Sequence, residues 1–267
     1  MMPGVSISLF AMGSGGIVGL VLGLVGGGGS ILAVPLLVYV VGVKSPHVAI
    51  GTSAIAVSMS ALGNLFAHSR AGNVKWRCAF AFAAAGVIGA LAGSQAAKAL
   101  DGQKLLALFG VVMIVVGSMM LRKRQSGEND DVHLTAESAK ELLPLLLGIG
   151  FAVGVFSGFF GIGGGFLIVP GLILATGMPL TSAIGTSLVA ITAFGAATAA
   201  SYAWSGFVDW AVAALFVLGG LAGGVAGMRA GQVLAKSKRT LNIVFASLVI
   251  AVGVYVTVRG LTSLVAT

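Results

Sequence analysis

The sequence predicts an all-α polytopic membrane protein made of two inverted-topology repeats of about five transmembrane or half-membrane helices each. Three observations carry that expectation. Hydrophobic residues make up 58% of the 267 and charged residues only 8%, too few charges to cover a water-exposed surface. Apolar runs recur along the whole chain, separated by short polar loops. The second half also repeats the first, motif by motif.

The first run, "MMPGVSISLFAMGSGGIVGLVLGLV", lacks the basic start of a secretory signal and reads as a retained span over about 5–25. It meets "GLVGGGGSILAVP" (Gly23 to Pro35), where four glycines in a row end the helix, each costing roughly 1 kcal/mol against alanine. Apolar segments follow at about 30–43, 47–67, 78–97 and 105–121. The polar stretch 122–141, "RKRQSGENDDVHLTAESAKE", holds five of the seven acidic residues and divides the chain. Beyond it, segments resume at about 142–160, 165–177, 182–204, 208–231 and 240–258. The organisation is therefore a first repeat over 1–121, a linker over 122–141 and a second repeat over 142–267, in one integral membrane domain.

The repeat is explicit. "GLVGGGGSILAVP" lies 135 positions before "GFFGIGGGFLIVP" (Gly158 to Pro170), with Gly23, Gly26, Gly28, Gly29, Leu32, Val34 and Pro35 reproduced. "AIGTS" at Ala49 to Ser53 recurs at Ala183 to Ser187, and "GNVKW" (Gly72 to Trp76) as "GFVDW" (Gly206 to Trp210), both 134 apart. Gly86, Gly89 and Gly93 map onto Gly220, Gly223 and Gly227, where small residues at helical spacing point to close helix packing.

Five crossings per repeat would invert the second half, and loop charge agrees. Arg70, Lys75 and Arg77 follow the third segment, while the matching loop after the eighth carries Asp209 and no Lys or Arg. Lys236, Lys238 and Arg239 follow the ninth segment, while its partner after the fourth has Lys98 and Lys104 around Asp101. With all ten segments crossing, the basic clusters, including Arg122, Lys123 and Arg124, fall on the cytoplasmic side and both termini face outward. Segment two is the exception in length: about 14 residues rise roughly 20 Å, short of the roughly 30 Å hydrocarbon core, so a re-entrant path is the alternative.

Backbone broken inside a membrane is tolerated only where protein or a wet cavity surrounds it. A helix restarting after the glycines offers free N–H groups and the positive end of its dipole, which suits an anion. Short segments interrupted by Gly and Pro, at matching positions of two inverted halves, point to a transporter's substrate site. The candidate substrate-binding residues are Gly26, Gly27, Gly28, Gly29 and Ser30 in the first half with Gly161, Gly163, Gly164 and Gly165 in the second. Thr52, Ser53, Thr186 and Ser187 join them from the "AIGTS" motifs. For these four, hydroxyls bonding their own helix or capping its start are the competing reading. Asn64, inside segment three, calls for an interhelical hydrogen bond, and Trp76 and Trp210 for interfacial anchoring.

The single cysteine, Cys78, excludes an internal disulfide, and no set of metal ligands or cofactor motif is present. "GIGGG" lacks the strand and downstream acid of a dinucleotide fingerprint, and no carboxylate sits mid-span, so neither an enzyme nor a proton relay is expected. The net charge of +8 is read as topology signal, so no nucleic acid is expected as a partner. Three classes remain: a secondary anion transporter, a channel-like anion pore, and a membrane scaffold or assembly factor. A homodimer is compatible with the sequence.

The paired "GGGGSILAVP" and "GIGGGFLIVP" motifs, each followed by "AIGTS", together with the GxxxG-containing fourth segment, resemble the sulfite exporter TauE/SafE family of bacterial membrane permeases. The resemblance covers nearly the whole chain outside the linker. It implies a multi-pass protein of the cell (inner) membrane that exports a small sulfur-containing anion such as sulfite, sulfoacetate or another organosulfonate, with no cofactor. The two copies differ at Ser30, which faces Gly165, and at Gly27, which faces Ile162, so only one half has a hydroxyl at its break.

Overall fold

The computed structural model describes residues 5–25, 27–121, 139–163, 165–233 and 238–265. These form helices α1 (Val5–Val25), α2 (Ala33–Tyr39), α3 (Pro46–Arg70), α4 (Trp76–Lys98) and α5 (Gly102–Leu121) in the first half. The second half holds α6 (Ala139–Phe160), α7 (Gly165–Thr176), α8 (Leu180–Trp204), α9 (Trp210–Val233) and α10 (Lys238–Val265). No strand occurs among the described residues. Every apolar segment read from the sequence is a helix, with ends displaced by a few residues.

Eight helices are long and apolar enough to cross a membrane. The other two runs, Gly28–Tyr39 and Gly165–Thr176, are short. At 1.5 Å per residue, the 12-residue α7 rises roughly 18 Å and falls short of the roughly 30 Å core. The ten expected segments are thus eight long helices and two short ones, matching the expected mix of transmembrane and half-membrane helices. Segment two was expected to be short; segment seven shares its length because it shares its glycine break.

The halves are interleaved. α1 packs on α9 and α4 on α6, while α3 packs on α8 and α5 on α10. A Cβ on Gly223 would strike the backbone of Gly16, one on Gly227 that of Leu20, and one on Gly219 that of Met12, so α1 and α9 run parallel. Gly86, Gly89 and Gly93 meet Gly150, Phe151 and Val155 in the same way, and α4 and α6 are parallel. In contrast, Gly195 lies against Ala54 and Ser58 while Gly51 lies against Tyr202, so the equivalent helices α3 and α8 run antiparallel. Gly110 against Gly253, with Gly117 against Ala246, gives α5 and α10 the same relation.

Glycine is what permits these contacts. Between helices in lipid, attraction comes from van der Waals contact and hydrogen bonding rather than from hydrophobic burial, and small residues let backbones touch. The GxxxG positions of α4 and α9 do this, and Gly15 and Gly19 of α1 with Gly154 and Gly158 of α6 supply the opposing surfaces. Outward, large apolar side chains such as Phe66, Phe80, Ile88, Met119 and Leu174 are exposed, which only a hydrocarbon surround accommodates over this many helices.

Candidate substrate site

The second glycine motif makes an open turn. α6 ends at Phe160, Gly161 and Gly163 take φ of +66° and +62°, and α7 restarts at Gly165. Such φ values are strained for L side chains, which explains glycine at both. Space is equally restrictive: a Cβ on Gly161 would collide with Ile50, and one on Gly163 would lie 2.8 Å from Val57 and 3.3 Å from Ile191. The turn is therefore wedged between α3 and α8, and Gly161, Ile162 and Gly163 are all buried. The first N–H groups of a helix have no partner within it, and α7 begins just after this turn.

The first motif differs. α1 stops at Val25, and Gly27–Leu32 wind into a 3-10 turn that leads directly into α2. The expectation of a helix restarting only after "GGGG" is corrected here: the glycines form the first turn themselves, with i to i+3 bonding. The cause is contact with α1, since a Cβ on Gly29 would lie 2.6 Å from the Leu22 nitrogen and 2.9 Å from the Val18 oxygen. Gly28, Gly29 and Ser30 are buried. Gly26 and Gly164 lie outside the described residues. Pro35 follows the 3-10 turn as the third residue of α2 and Pro170 sits inside α7, so each removes one N–H from a continuing helical run.

The "AIGTS" motifs serve both halves. Ser53 Oγ donates toward the Ile50 carbonyl (2.8 Å) and the Gly161 carbonyl (3.0 Å), tying the second break to α3. Ser187 Oγ donates to its own helix at the Ile184 carbonyl (2.8 Å). Thr52 Oγ1 accepts the Asp209 N–H at 3.1 Å, and Thr186 Oγ1 accepts the Lys75 N–H at 3.0 Å. Each threonine thus binds the residue that opens a helix of the other half, α9 or α4. Gly51 and Gly185 make room for these crossings, since a Cβ at either would strike the Phe207 or Asn73 carbonyl. All four hydroxyl residues are fully buried.

The structure therefore brings Ser53 together with Gly161 and Gly163, and sets Thr52 and Thr186 at the inter-repeat turns. Bonding of the serines to their own helices, the competing reading, occurs for both. Asn64 departs from expectation: its Nδ2 is buried without a hydrogen-bond partner, and the Oγ1 of its counterpart Thr198 is in the same condition. The residue of α9 facing Asn64 is Gly224, which has no side chain to donate or accept. Trp76 and Trp210 are 44% and 66% exposed, as anchors require.

The reading of single residues missed a polar group at the far end of α4. There the Lys98 ammonium bonds Ser201 of α8 and Ser205, the residue just past its end. The signal was in the spacing, since Ser94 and Lys98 are four apart on one face of α4, and Ser201 and Ser205 are four apart at the end of α8. No group of metal-ligating side chains occurs among the described residues.

Comparison with known proteins follows this geometry. The family model described as Sulfite exporter TauE/SafE matches residues 11–256. A probable membrane transporter protein of Xylella fastidiosa strain Temecula1 is 50% identical over 258 residues, covering 97% of this chain and 98% of the relative. The probable membrane transporter protein YunE of Bacillus subtilis strain 168 is 27% identical, covering 92% of this chain and 96% of its own. No solved structure matches the chain.

Proposed function

As the chain belongs to the sulfite exporter TauE/SafE family, we propose that this multi-pass membrane transporter exports a small sulfur-containing anion, such as sulfite, sulfoacetate or another organosulfonate, across the cytoplasmic membrane. The substrate meets the protein at the glycine breaks, and the two halves face the membrane in opposite orientations. One observation carries the reading: a buried, non-helical turn at Gly161 to Gly163, held between α3 and α8, from which a helix restarts. Unpaired N–H groups inside a membrane cost several kcal/mol each, so they are retained where a ligand uses them. An anion suits them, because they form the positive end of α7.

The serines act here as supports. Ser53 spends its proton on backbone carbonyls and fixes the turn, so the donors offered to an anion are backbone N–H groups. No carboxylate lies in the middle of a described span to hold a proton or to react, Glu141 standing in the first turn of α6, and we assign the chain no catalysis. The antiparallel contacts of α3 with α8 and of α5 with α10 support the opposed orientation of the halves.

The test is a substrate screen on purified protein in proteoliposomes, comparing sulfite, sulfoacetate, taurine-like sulfonates, sulfate and chloride. The expected result is saturable flux of sulfite or a sulfonate, abolished in Gly161→Leu while that variant still inserts. Flux of none of them, or normal flux in Gly161→Leu, contradicts the reading.

A further inference from the structure

Lys98 closes α4 at the end that packs on α8. Its ammonium bonds the Ser201 carbonyl at 3.2 Å, Ser201 Oγ at 3.1 Å and Ser205 Oγ at 3.0 Å, and lies 5.8 Å from the centre of the Tyr202 ring. Ser94 Oγ joins at 2.8 Å from Ser201 Oγ. Every one of these partners is neutral, and no carboxylate pairs with the ammonium among the described residues. The two acids at this end hold backbone N–H groups: Asp101 Oδ1 accepts those of Gln103 and Lys104, and Asp209 Oδ1 accepts that of Val212. A half-buried cation fixed by neutral oxygens leaves a positive field at the edge of the low-dielectric span.

Two further groups beside it want partners. The Tyr202 hydroxyl and His47 Nδ1 are buried without a hydrogen bond, their rings 6.5 Å apart, and Tyr202 has no exposed surface. The duplication sharpens the point. The break glycines and capping threonines recur in both halves, but Gln232, Ala67, Ala71 and His68 stand where Lys98, Ser201, Ser205 and Tyr202 would repeat. A feature required by the scaffold would recur with the scaffold; this one belongs to a single end of the molecule.

We propose that Lys98, anchored by Ser201 and Ser205 beside Tyr202, is an anion-binding site separate from the glycine breaks, taking the charged oxygens of a small sulfur or phosphorus oxyanion. The preference for a sulfur anion rests on the transporter reading; the site itself does not. A charge-assisted hydrogen bond to such an oxygen is stronger than the neutral ones that the ammonium now makes.

The full chain in lipid-free detergent, followed by intrinsic tryptophan fluorescence during heating, gives the test. Sodium sulfite at constant ionic strength is the solute arm, and short-chain phosphatidylglycerol is the lipid-headgroup arm. At least one probe is expected to raise the unfolding temperature saturably, with half-saturation raised about tenfold or more in Lys98→Gln and near wild type in Lys98→Arg. The probe whose response depends on Lys98 identifies the source of the oxyanion. If Lys98→Gln does not fold, the Ser201→Ala, Ser205→Ala double variant, which keeps the ammonium and frees it from its anchors, is expected to raise half-saturation severalfold. No stabilisation of the wild type, or unchanged half-saturation in the folded variants, overturns the site. Lys98-dependent sulfite binding without flux of sulfite or any sulfonate in proteoliposomes would instead retain the site and refute export of a sulfur anion.

Discussion

Thr52 and Thr186 show how a single hydroxyl can hold two repeats together. Each is fully buried and accepts a backbone N–H at the start of a helix in the opposite half, Asp209 for one and Lys75 for the other. Replacing the hydroxyl by a methyl of the same shape leaves that N–H buried and unpaired, at a cost of about 1–3 kcal/mol for each. Thr52→Val and Thr186→Val are therefore expected to lower the unfolding temperature singly and further together, read through labelling of the buried thiol of Cys78 as it becomes exposed. Unchanged unfolding in the double variant would remove the capping role. The residues themselves stood out in the sequence because "AIGTS" recurs. Their partner did not, since a contact between positions 52 and 209 leaves no periodic trace, and a buried threonine reads first as bonded to its own helix.

Among the elements, the breaks were legible and their shapes were not. Four glycines, or three around Ile162, stop a helix in either copy because the backbone entropy cost is the same. What selects a 3-10 turn in one and a left-handed turn in the other is the surface each meets: Val18 and Leu22 of α1 for the first, Ile50, Val57 and Ile191 for the second. Those are tertiary contacts. The GxxxG pairs were legible as packing positions, although their partner helices, α6 for α4 and α1 for α9, were not. Gly223→Leu places a side chain where the Gly16 backbone lies, and overpacking of this kind costs about 1–3 kcal/mol or more. Loss of monodisperse protein on size-exclusion chromatography is expected for Gly223→Leu, with Gly13→Leu, which has open space at its Cβ, as the tolerated control. Equal behaviour of the two variants would contradict the assigned packing.

For the whole molecule, loop charge and internal duplication led to the expectation of opposed halves, which a labelling experiment can test. Arg70 and Lys75 lie by the turn from α3 to α4, and the α8 to α9 turn has only Asp209. Since equivalent helices pack antiparallel, Ala71→Cys and Ser205→Cys in a Cys78→Ala background are expected to react with an impermeant thiol reagent from opposite faces of the membrane. Reaction from one face would refute opposed halves. The substrate was the least legible feature at this scale, because a helix N-terminus binds any small anion through the same N–H groups.

Export of a sulfur anion, as proposed above, is expected to need no coupling ion. No acid lies mid-span among the described residues to carry a proton, Glu141 standing at the start of α6, and an anion leaving a compartment that is negative inside runs downhill by about 2.3 kcal/mol per charge for each 100 mV. The most direct measurement is exit of radiolabelled sulfite from proteoliposomes whose potential is set by potassium and valinomycin at equal pH on both sides. An interior-negative potential is predicted to accelerate exit and an interior-positive one to slow it. Exit that ignores the potential and follows an imposed pH gradient would contradict the claim and assign coupling to a protonatable group, with His47 and His68 as the first to replace.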